Sequence, residues 1–225
     1  MSDVGGLEFV RPADIEARSF EIIGQELGPH DFDRRTLQVV KRAIHTTADF
    51  DYAHTLDFSP HAVEAGVSAL RAGADVVTDT TMVAAGINKR VLGGFGGHVH
   101  TFVADPDVAA EAAARGVTRS AVSMERAAKL EGPLVFAIGN APTALVRIVR
   151  MLEAGELATP ALVVGVPVGF VNVVESKELL IAADVEHIVA RGRKGGSNVA
   201  AAIVNALLYL AAGDEGSEAC QTRGA

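Results

Sequence analysis

Short apolar runs rich in β-branched residues alternate with alanine-rich amphipathic segments along most of this 225-residue chain. Such alternation is typical of βαβ units, in which parallel strands are covered by helices on both faces. The runs are continuously apolar, as strands buried on both faces require. The predicted strands cover residues 75–80, 98–103, 134–138, 161–168 and 187–189. The sequence therefore predicts a doubly wound α/β fold with a mostly parallel sheet.

Helical patterns fill the segments before and between these strands. Two amphipathic segments come first, and a third begins at a Ser-Pro pair, because proline suits the first position of a helix. The predicted helices cover residues 12–27, 33–47, 60–71, 82–92, 107–130, 142–154, 172–183 and 198–212. No repeat or linker divides the chain, which predicts one domain over residues 1–225, with flexible termini at 1–8 and 213–225.

Composition argues against several classes of function. The net charge is −8 and tryptophan is absent, so neither a nucleic-acid surface nor an aromatic sugar-binding surface is expected. The chain has one cysteine, no apolar signal segment at its start and no apolar stretch long enough for a membrane span. We therefore expect a cytoplasmic protein without membrane contact. An anionic ligand would require the 20 lysine and arginine residues to be concentrated locally.

Ligands of doubly wound sheets bind at the carboxyl ends of the strands. The last predicted strand leads into Arg191-Gly192-Arg193-Lys194-Gly195-Gly196-Ser197-Asn198, which places cations beside flexible backbone at a helix start. This combination suits a phosphate or a carboxylate, with an ordinary solvated turn as the alternative. The glycines match neither a Walker A loop nor a dinucleotide fingerprint. A second glycine cluster, residues 93–97, is interpreted as a turn.

Two histidine segments are candidates for chemistry. His45 ends an apolar segment beside two threonines, and imidazole is the side chain best suited to acid–base catalysis near neutral pH. His98 and His100 share one face of a predicted strand, where two hydrogen-bonded histidines are favoured over a metal site. The carboxylates after His45 form a solvated charge run, a metal-ligand set or partners of the imidazole. They are Asp49, Asp51 and Asp57.

Several segments, taken in their order and spacing, resemble the precorrin-8X methylmutase family, also called precorrin isomerases. They are RPADIEARSFEII, VVKRAIHTTADFDY, VVTDTTMVAAGI, AIGNAPTAL, PVGFVNVVESKELL and GRKGGSNVAAAIVNALL. The resemblance extends over nearly the whole chain, from Phe9 to Ala212. Cobalt-precorrin-8 methylmutases share these motifs, so the metal state of the substrate stays open.

The resemblance implies a flavodoxin-like three-layer α/β/α fold, a homodimer with the active site near the subunit interface, and no cofactor or metal. It implies isomerisation of precorrin-8X to hydrogenobyrinate in cobalamin biosynthesis, by movement of a methyl group from C11 to C12. His45 matches the catalytic histidine of the family, proposed to protonate a ring nitrogen and promote a 1,5-sigmatropic shift.

The residues expected to bind substrate follow from its chemistry. The substrate is a polycarboxylate, and arginine grips carboxylates bidentately. We also expect a dry cavity that holds the macrocycle in one conformation. The expected binding residues are Ser19, Arg42, Thr80, Thr81, Met82, Arg119, Arg193, Lys194, Ser197 and Asn198. Two other functions stay open, namely a non-catalytic tetrapyrrole carrier and a phosphate or nucleotide binder built on residues 192–198.

Overall fold

The computed structural model describes residues 9–213, in which six strands form one sheet with helices on both faces. The strands are β1 (Leu56–Phe58), β2 (Asp75–Thr78), β3 (Val99–His100), β4 (Leu134–Ile138), β5 (Leu162–Gly165) and β6 (His187–Ala190). The helices are α1 (Ile15–Leu27), α2 (Arg34–Thr47), α3 (Tyr52–Thr55), α4 (Ala62–Arg71), α5 (Thr81–Gly86), α6 (Lys89–Gly94), α7 (Pro106–Arg115), α8 (Arg119–Ala127), α9 (Pro142–Glu153), α10 (Val173–Ile181) and α11 (Ser197–Ala211). A 3-10 turn, Pro12–Asp14, precedes α1.

The strand order confirms the predicted fold class. Across the sheet the order is β1-β6-β5-β4-β2-β3, and all neighbouring strands are parallel except β1, which runs antiparallel to β6. Renumbered among themselves, the five parallel strands have the flavodoxin-like order 2-1-3-4-5. The chain changes direction across the sheet between β2 and β4, so this is the point where a ligand crevice is expected.

Two apolar layers hold the helices against the sheet. Successive residues of a strand point to opposite faces, so Leu162 and Val164 of β5 pack with α2, α4 and α11, whereas Val163 packs with α8, α9 and α10. The helix α11 is apolar almost all round and lies between the sheet and α2. Its burial accounts for part of the chain's apolar composition. No helix within residues 9–213 is long and apolar enough to cross one.

The two edges of the sheet differ from the sequence prediction. The strand β1 was not predicted, because its three residues carry a central aspartate and give no apolar run; it forms by pairing Asp57 with Val189 of β6. The outer strand β3 spans two residues rather than the predicted 98–103, because only Val99 and His100 have partners, on β2. Edge pairing depends on the neighbouring strand, which local sequence does not reveal.

Two predicted helices are each divided into two. The predicted segment 107–130 breaks at Gly116, which adopts a left-handed conformation with φ 63°, and Thr118 then caps α8 through Ala121 N. The predicted segment 82–92 breaks before Asn88, whose side chain caps α6. The helix predicted from Pro60 begins at Ala62 instead, because Ser59 and the His61 amide both bind the Glu186 carboxylate and hold a turn there. The turn predicted over residues 93–97 begins only at Phe95, because Gly93 and Gly94 belong to α6.

The predicted flexible termini lie outside the described residues, except for Gly213. The single cysteine, Cys220, also lies outside them.

Candidate active site

The β2 and β4 ends meet at the point where the sheet changes direction, and a buried carboxylate joins them. Asp79, the residue after β2, is fully buried and accepts the backbone N–H groups of Gly139, Asn140 and Ala141 at 2.9, 2.8 and 2.7 Å. Burial raises the pKa of Asp79, against the opposite effect of these hydrogen bonds. The carboxylate therefore fixes the loop between β4 and α9. Asp79 lies near the end of the predicted strand over residues 75–80, and no local pattern indicates this role.

This contact bears on phosphate binding at the β4 end, a loop separate from residues 192–198, on which the phosphate-binding alternative rests. A run of backbone N–H groups before a helix is the arrangement that binds phosphate in many α/β proteins. Here the N–H groups of residues 139–141 already bind the protein's own carboxylate. The geometry therefore disfavours a nucleotide phosphate at this loop.

The start of α11 packs directly on the end of β4. Gly139 lies so close to it that an added Cβ atom would be 2.7 Å from the Ser197 Cα atom and 3.0 Å from the Gly196 carbonyl oxygen. The Ser197 hydroxyl also lies 3.1 Å from the Thr80 hydroxyl, which caps α5 through Val83 N. The structure thus brings the predicted residues Thr80 and Ser197 together. The N–H groups in the first turn of α11 therefore lie at the same edge of the sheet.

We expect Gly139→Ala to lower the free energy of unfolding by about 1–3 kcal/mol, because backbone atoms of α11 would have to move. Gly93→Ala is the matched control: a Cβ atom there meets nothing within 4 Å. Because Gly93 lies in α6, alanine should be neutral there or stabilise by about 0.5 kcal/mol. Urea unfolding of both variants checks this, and equal stabilities would contradict the close approach.

Two other residues that were expected to bind substrate, Thr81 and Met82, lie on the surface. They begin α5, and Met82 is 69% exposed. Phe170 and Val171, in the loop after β5, are 83% and 77% exposed. The Phe170 ring lies 5.5 Å from the Arg193 guanidinium carbon. One exposed apolar side chain, Phe170, therefore lies beside the cationic loop.

The cationic loop at residues 191–196 holds two paired cations and one free cation. Arg191 pairs with Asp57 at 3.3 Å and with Glu178 at 3.4 Å. Lys194 donates to the carboxylates of Asp49 and Asp51, at 2.6 Å each, and this raises its pKa above the usual value. Arg193 is exposed, and no carboxylate within the described chain pairs with it. Asn198 is also exposed, in the first turn of α11. Arg193, rather than Lys194, is therefore the cation available to a ligand.

The aspartates after His45 are not the solvated run that the sequence favoured. Asp49 and Asp51 bind Lys194, and this lowers the pKa of Asp49. Asp57 lies on β1 and faces His187 and Arg191, each at 3.3 Å. They are partners of other cationic and imidazole groups rather than of His45. These pairs span more than a hundred residues of chain, so local sequence could not show them.

His45 belongs to a cluster formed by α1 and α2. Its ring centroid lies 5.4 Å from that of Phe20, and the Arg42 guanidinium carbon lies 4.7 Å from the same ring. Arg42 also contacts the Tyr209 ring at 5.1 Å and pairs with the Glu16 carboxylate. The C-terminal turn of a helix, where His45 lies, stabilises a cationic side chain.

His45 itself is exposed, contrary to the expected dry cavity. No hydrogen bond of its imidazole is found within residues 9–213, so its contact with Phe20 is what orients it. Ser19 lies beside Phe20, half-buried, and its hydroxyl donates to the Ile15 carbonyl oxygen at 2.8 Å. The structure brings Arg42 and His45 together at the Phe20 ring, with Ser19 as the preceding residue of α1 and the imidazole open to solvent in a single chain.

Arg119 is the predicted residue that the structure keeps apart. It begins α8, which packs on the sheet face opposite to α2, and its side chain is exposed. The preceding Thr118 hydroxyl donates to Thr143 at 2.9 Å, which places this helix start near the end of β4. Within residues 9–213 no carboxylate pairs with Arg119 and no contact joins it to His45.

Only one of the two predicted strand histidines is hydrogen-bonded through its imidazole, and His98 lies just before β3 rather than in it. His100 Nε2 lies 2.7 Å from Asp75 Oδ2, whereas His98 donates its backbone N–H to Asp75 Oδ1 at 2.8 Å and its exposed imidazole lies 3.5 Å from the same oxygen. These bonds lower the pKa of Asp75 despite the effect of burial. Among the described residues, no group of three or more histidine, cysteine, aspartate or glutamate side chains is arranged to hold a metal ion.

One functional candidate was missed altogether. Lys177 of α10 is fully buried and donates to the carbonyl oxygens of Gly192 and Lys194, at 2.8 Å each. These two hydrogen bonds therefore hold the cationic loop against α10. In the sequence, Lys177 occupies an ordinary polar position of a predicted helix, within the segment PVGFVNVVESKELL. Nothing local therefore indicates a role for it.

Comparisons with known proteins agree with one another. The family described as precorrin-8X methylmutase matches residues 14–210. The chain is 46% identical to a cobalt-precorrin-8 methylmutase of Priestia megaterium, over 90% of this chain and 89% of the relative. It is 48% identical to the cobalt-precorrin-8 methylmutase of Salmonella typhimurium, over 88% and 95%. A crystal structure of precorrin-8X methyl mutase from Thermus thermophilus superposes with a TM-score of 0.82 at 43% identity, covering 90% of this chain and all of that one.

Proposed function

Because the chain belongs to the precorrin-8X methylmutase family, an isomerase family of cobalamin biosynthesis, we propose that it moves a methyl group from C11 to C12 of precorrin-8X, giving hydrogenobyrinate. The observation that carries this proposal is the family match over residues 14–210. The arrangement of the predicted site residues adds independent physical support. The whole chain then acts as one methylmutase domain.

His45 is the proton donor in this proposal. The migrating methyl group stays within one molecule, so the reaction needs no nucleophile and no electron carrier from the protein. It needs a proton delivered to a ring nitrogen and taken back after the shift, and imidazole exchanges a proton readily near neutral pH. The position of His45 in the last turn of α2, with its ring against Phe20, supports this role.

Arg193, Asn198 and Ser197 are the proposed carboxylate-binding groups at the edge of the sheet. No carboxylate among the described residues pairs with the Arg193 guanidinium. The first turn of α11 presents N–H groups to an anion. Arg42 is close to His45, but its pair with Glu16 must open, or be shared, when a substrate carboxylate binds. Lys194 adds little net charge, since two carboxylates hold it.

We propose that the active unit is a homodimer. Methyl migration requires that water be excluded from the macrocycle, yet His45 is exposed in a single chain. Met82, Phe170 and Val171 expose apolar surface that a second chain would cover. A second chain could also bring Arg119, which is distant from His45 within one chain, to the macrocycle. The single cysteine of the chain fits action in the reducing cytoplasm.

The proposal is tested by incubating the purified chain with precorrin-8X and following the absorbance of hydrogenobyrinate, with sedimentation measured in parallel. We expect conversion by a particle of two chains. Intact substrate after prolonged incubation would contradict the activity, and a fully active monomer would contradict the dimer.

Cobalt-precorrin-8 is the second candidate substrate, because the Priestia and Salmonella relatives carry that name at 46% and 48% identity. Parallel assays with metal-free and cobalt-containing substrate decide between them by kcat/KM. The same assays separate an enzyme from a tetrapyrrole carrier, which would bind either compound and return it unchanged. Titration with flavin mononucleotide tests the nucleotide-binding alternative at residues 192–198, and we expect no binding because the family match over residues 14–210 is to a methylmutase.

A further inference from the structure

A buried lysine, Lys177, contacts the cationic loop and has no role in the proposed reaction. Lys177 is 0% exposed, and within residues 9–213 no carboxylate pairs with it. Its two hydrogen-bond partners are the carbonyl oxygens on either side of Arg193, at Gly192 and Lys194. A buried ammonium without a counter-ion is costly, whereas a methionine of similar length would not be.

Three consecutive carbonyl groups of the loop are drawn into the protein. Lys177 binds the carbonyl oxygens of Gly192 and Lys194, and the Gly169 N–H donates to the carbonyl oxygen of Arg193 at 3.2 Å. The negative ends of the Gly192 and Lys194 peptide dipoles therefore face the buried ammonium of Lys177. The same bonds fix the backbone from which the Arg193 side chain projects.

We propose, on the basis of the proposed function, that Lys177 is a positioning residue that holds the loop at residues 191–196 so that Arg193 meets a substrate carboxylate. It acts through the two carbonyl oxygens and does not touch the macrocycle. Burial also lowers the pKa of Lys177 to about 8, as expected for an ammonium held by carbonyl groups alone. The charge beneath the loop adds to the positive potential there.

The test compares Lys177→Met with Lys129→Met, which removes one exposed lysine from the surface and leaves the loop intact. The measured quantities are the dissociation constant of hydrogenobyrinate, by absorbance titration, and kcat at saturating precorrin-8X. We expect Lys177→Met to weaken binding about tenfold or more, with kcat within about threefold of wild type. Lys129→Met should leave both quantities unchanged.

A double-mutant cycle with Arg193→Ala separates positioning from a general structural role. If Lys177 acts through Arg193, adding Lys177→Met to Arg193→Ala should weaken binding much less than it does in the wild-type background. Equal effects in both backgrounds would overturn the proposal. So would an unchanged dissociation constant in Lys177→Met, measured at a temperature where the variant is folded.

Folding failure has a defined meaning in this test. If Lys177→Met does not fold, Lys177→Gln replaces it, since an amide still donates to carbonyl oxygens. If neither folds, the proposal is overturned, because Lys177 would then belong to the core rather than to the loop. The proposed function and the positioning role can also fail separately. Suppose that the wild-type protein isomerises neither precorrin-8X nor its cobalt form, and that Lys177→Met still weakens hydrogenobyrinate binding. This result would contradict the proposed function and leave the positioning role standing.

Discussion

Replacing His45 with alanine is expected to lower kcat for methyl migration by a factor of about 10² to 10⁴, the usual contribution of a general acid. The residue lies in the last turn of α2, and its ring contacts Phe20. Because the side chain is exposed, its removal should change the free energy of unfolding by less than about 0.5 kcal/mol. The loss in rate would then reflect chemistry rather than folding. Steady-state kinetics, with thermal unfolding in parallel, measures both.

His54→Ala is the matched control for this variant. His54 is another exposed histidine, on the adjacent helix α3. It should keep wild-type kcat, and both variants should bind hydrogenobyrinate as the wild type does. If His45→Ala retained a rate within about twofold of wild type, or if His54→Ala lost as much rate, His45 would not be the proton donor.

The largest effect on stability is expected from Asp79→Ala. This change leaves the N–H groups of Gly139, Asn140 and Ala141 without their acceptor, and those of Gly139 and Ala141 are buried. An unsatisfied buried polar group costs about 1–3 kcal/mol, so the free energy of unfolding should fall by about 4 kcal/mol or more. A typical domain is stable by only about 5–15 kcal/mol, so the variant should unfold at much lower urea concentration or accumulate as insoluble protein.

Two further variants make this prediction quantitative. Asp79→Asn keeps the shape and one acceptor oxygen, so its loss of stability should fall between those of wild type and alanine. Asp31→Ala removes an exposed carboxylate from the loop between α1 and α2 and should be within about 0.5 kcal/mol of wild type. If Asp79→Ala and Asp31→Ala unfolded at the same urea concentration, the three hydrogen bonds would not contribute to stability.

Most of the secondary structure was predictable, because the buried strands carry their signal locally. The run over residues 134–138 is β4 without any change of bounds, and each of its residues is buried. The misses lie where pairing decides the structure: β1 exists only because β6 lies beside it. The helix breaks before α6 and α8 depend on single capping residues, Asn88 and Thr118, within otherwise continuous helical patterns.

The sequence indicated candidate site residues but not their arrangement. The structure places the Thr80 hydroxyl beside that of Ser197, and Arg42 and His45 against the same Phe20 ring. The sequence could not show that Lys194 is held by Asp49 and Asp51, since ion pairing between distant segments leaves no local pattern.

By itself, the sequence determined the fold class, the order of the five parallel strands along the chain and the position of His45 in the chain. These follow from the periodicity of apolar residues and from ordered motifs, which are properties of neighbouring residues. Only the tertiary structure decided which charges are free, which are paired and which are buried. Lys177 and Asp79 show the reason: the cost of burying a charge, and the bonds that offset it, depend on groups brought together from distant parts of the chain.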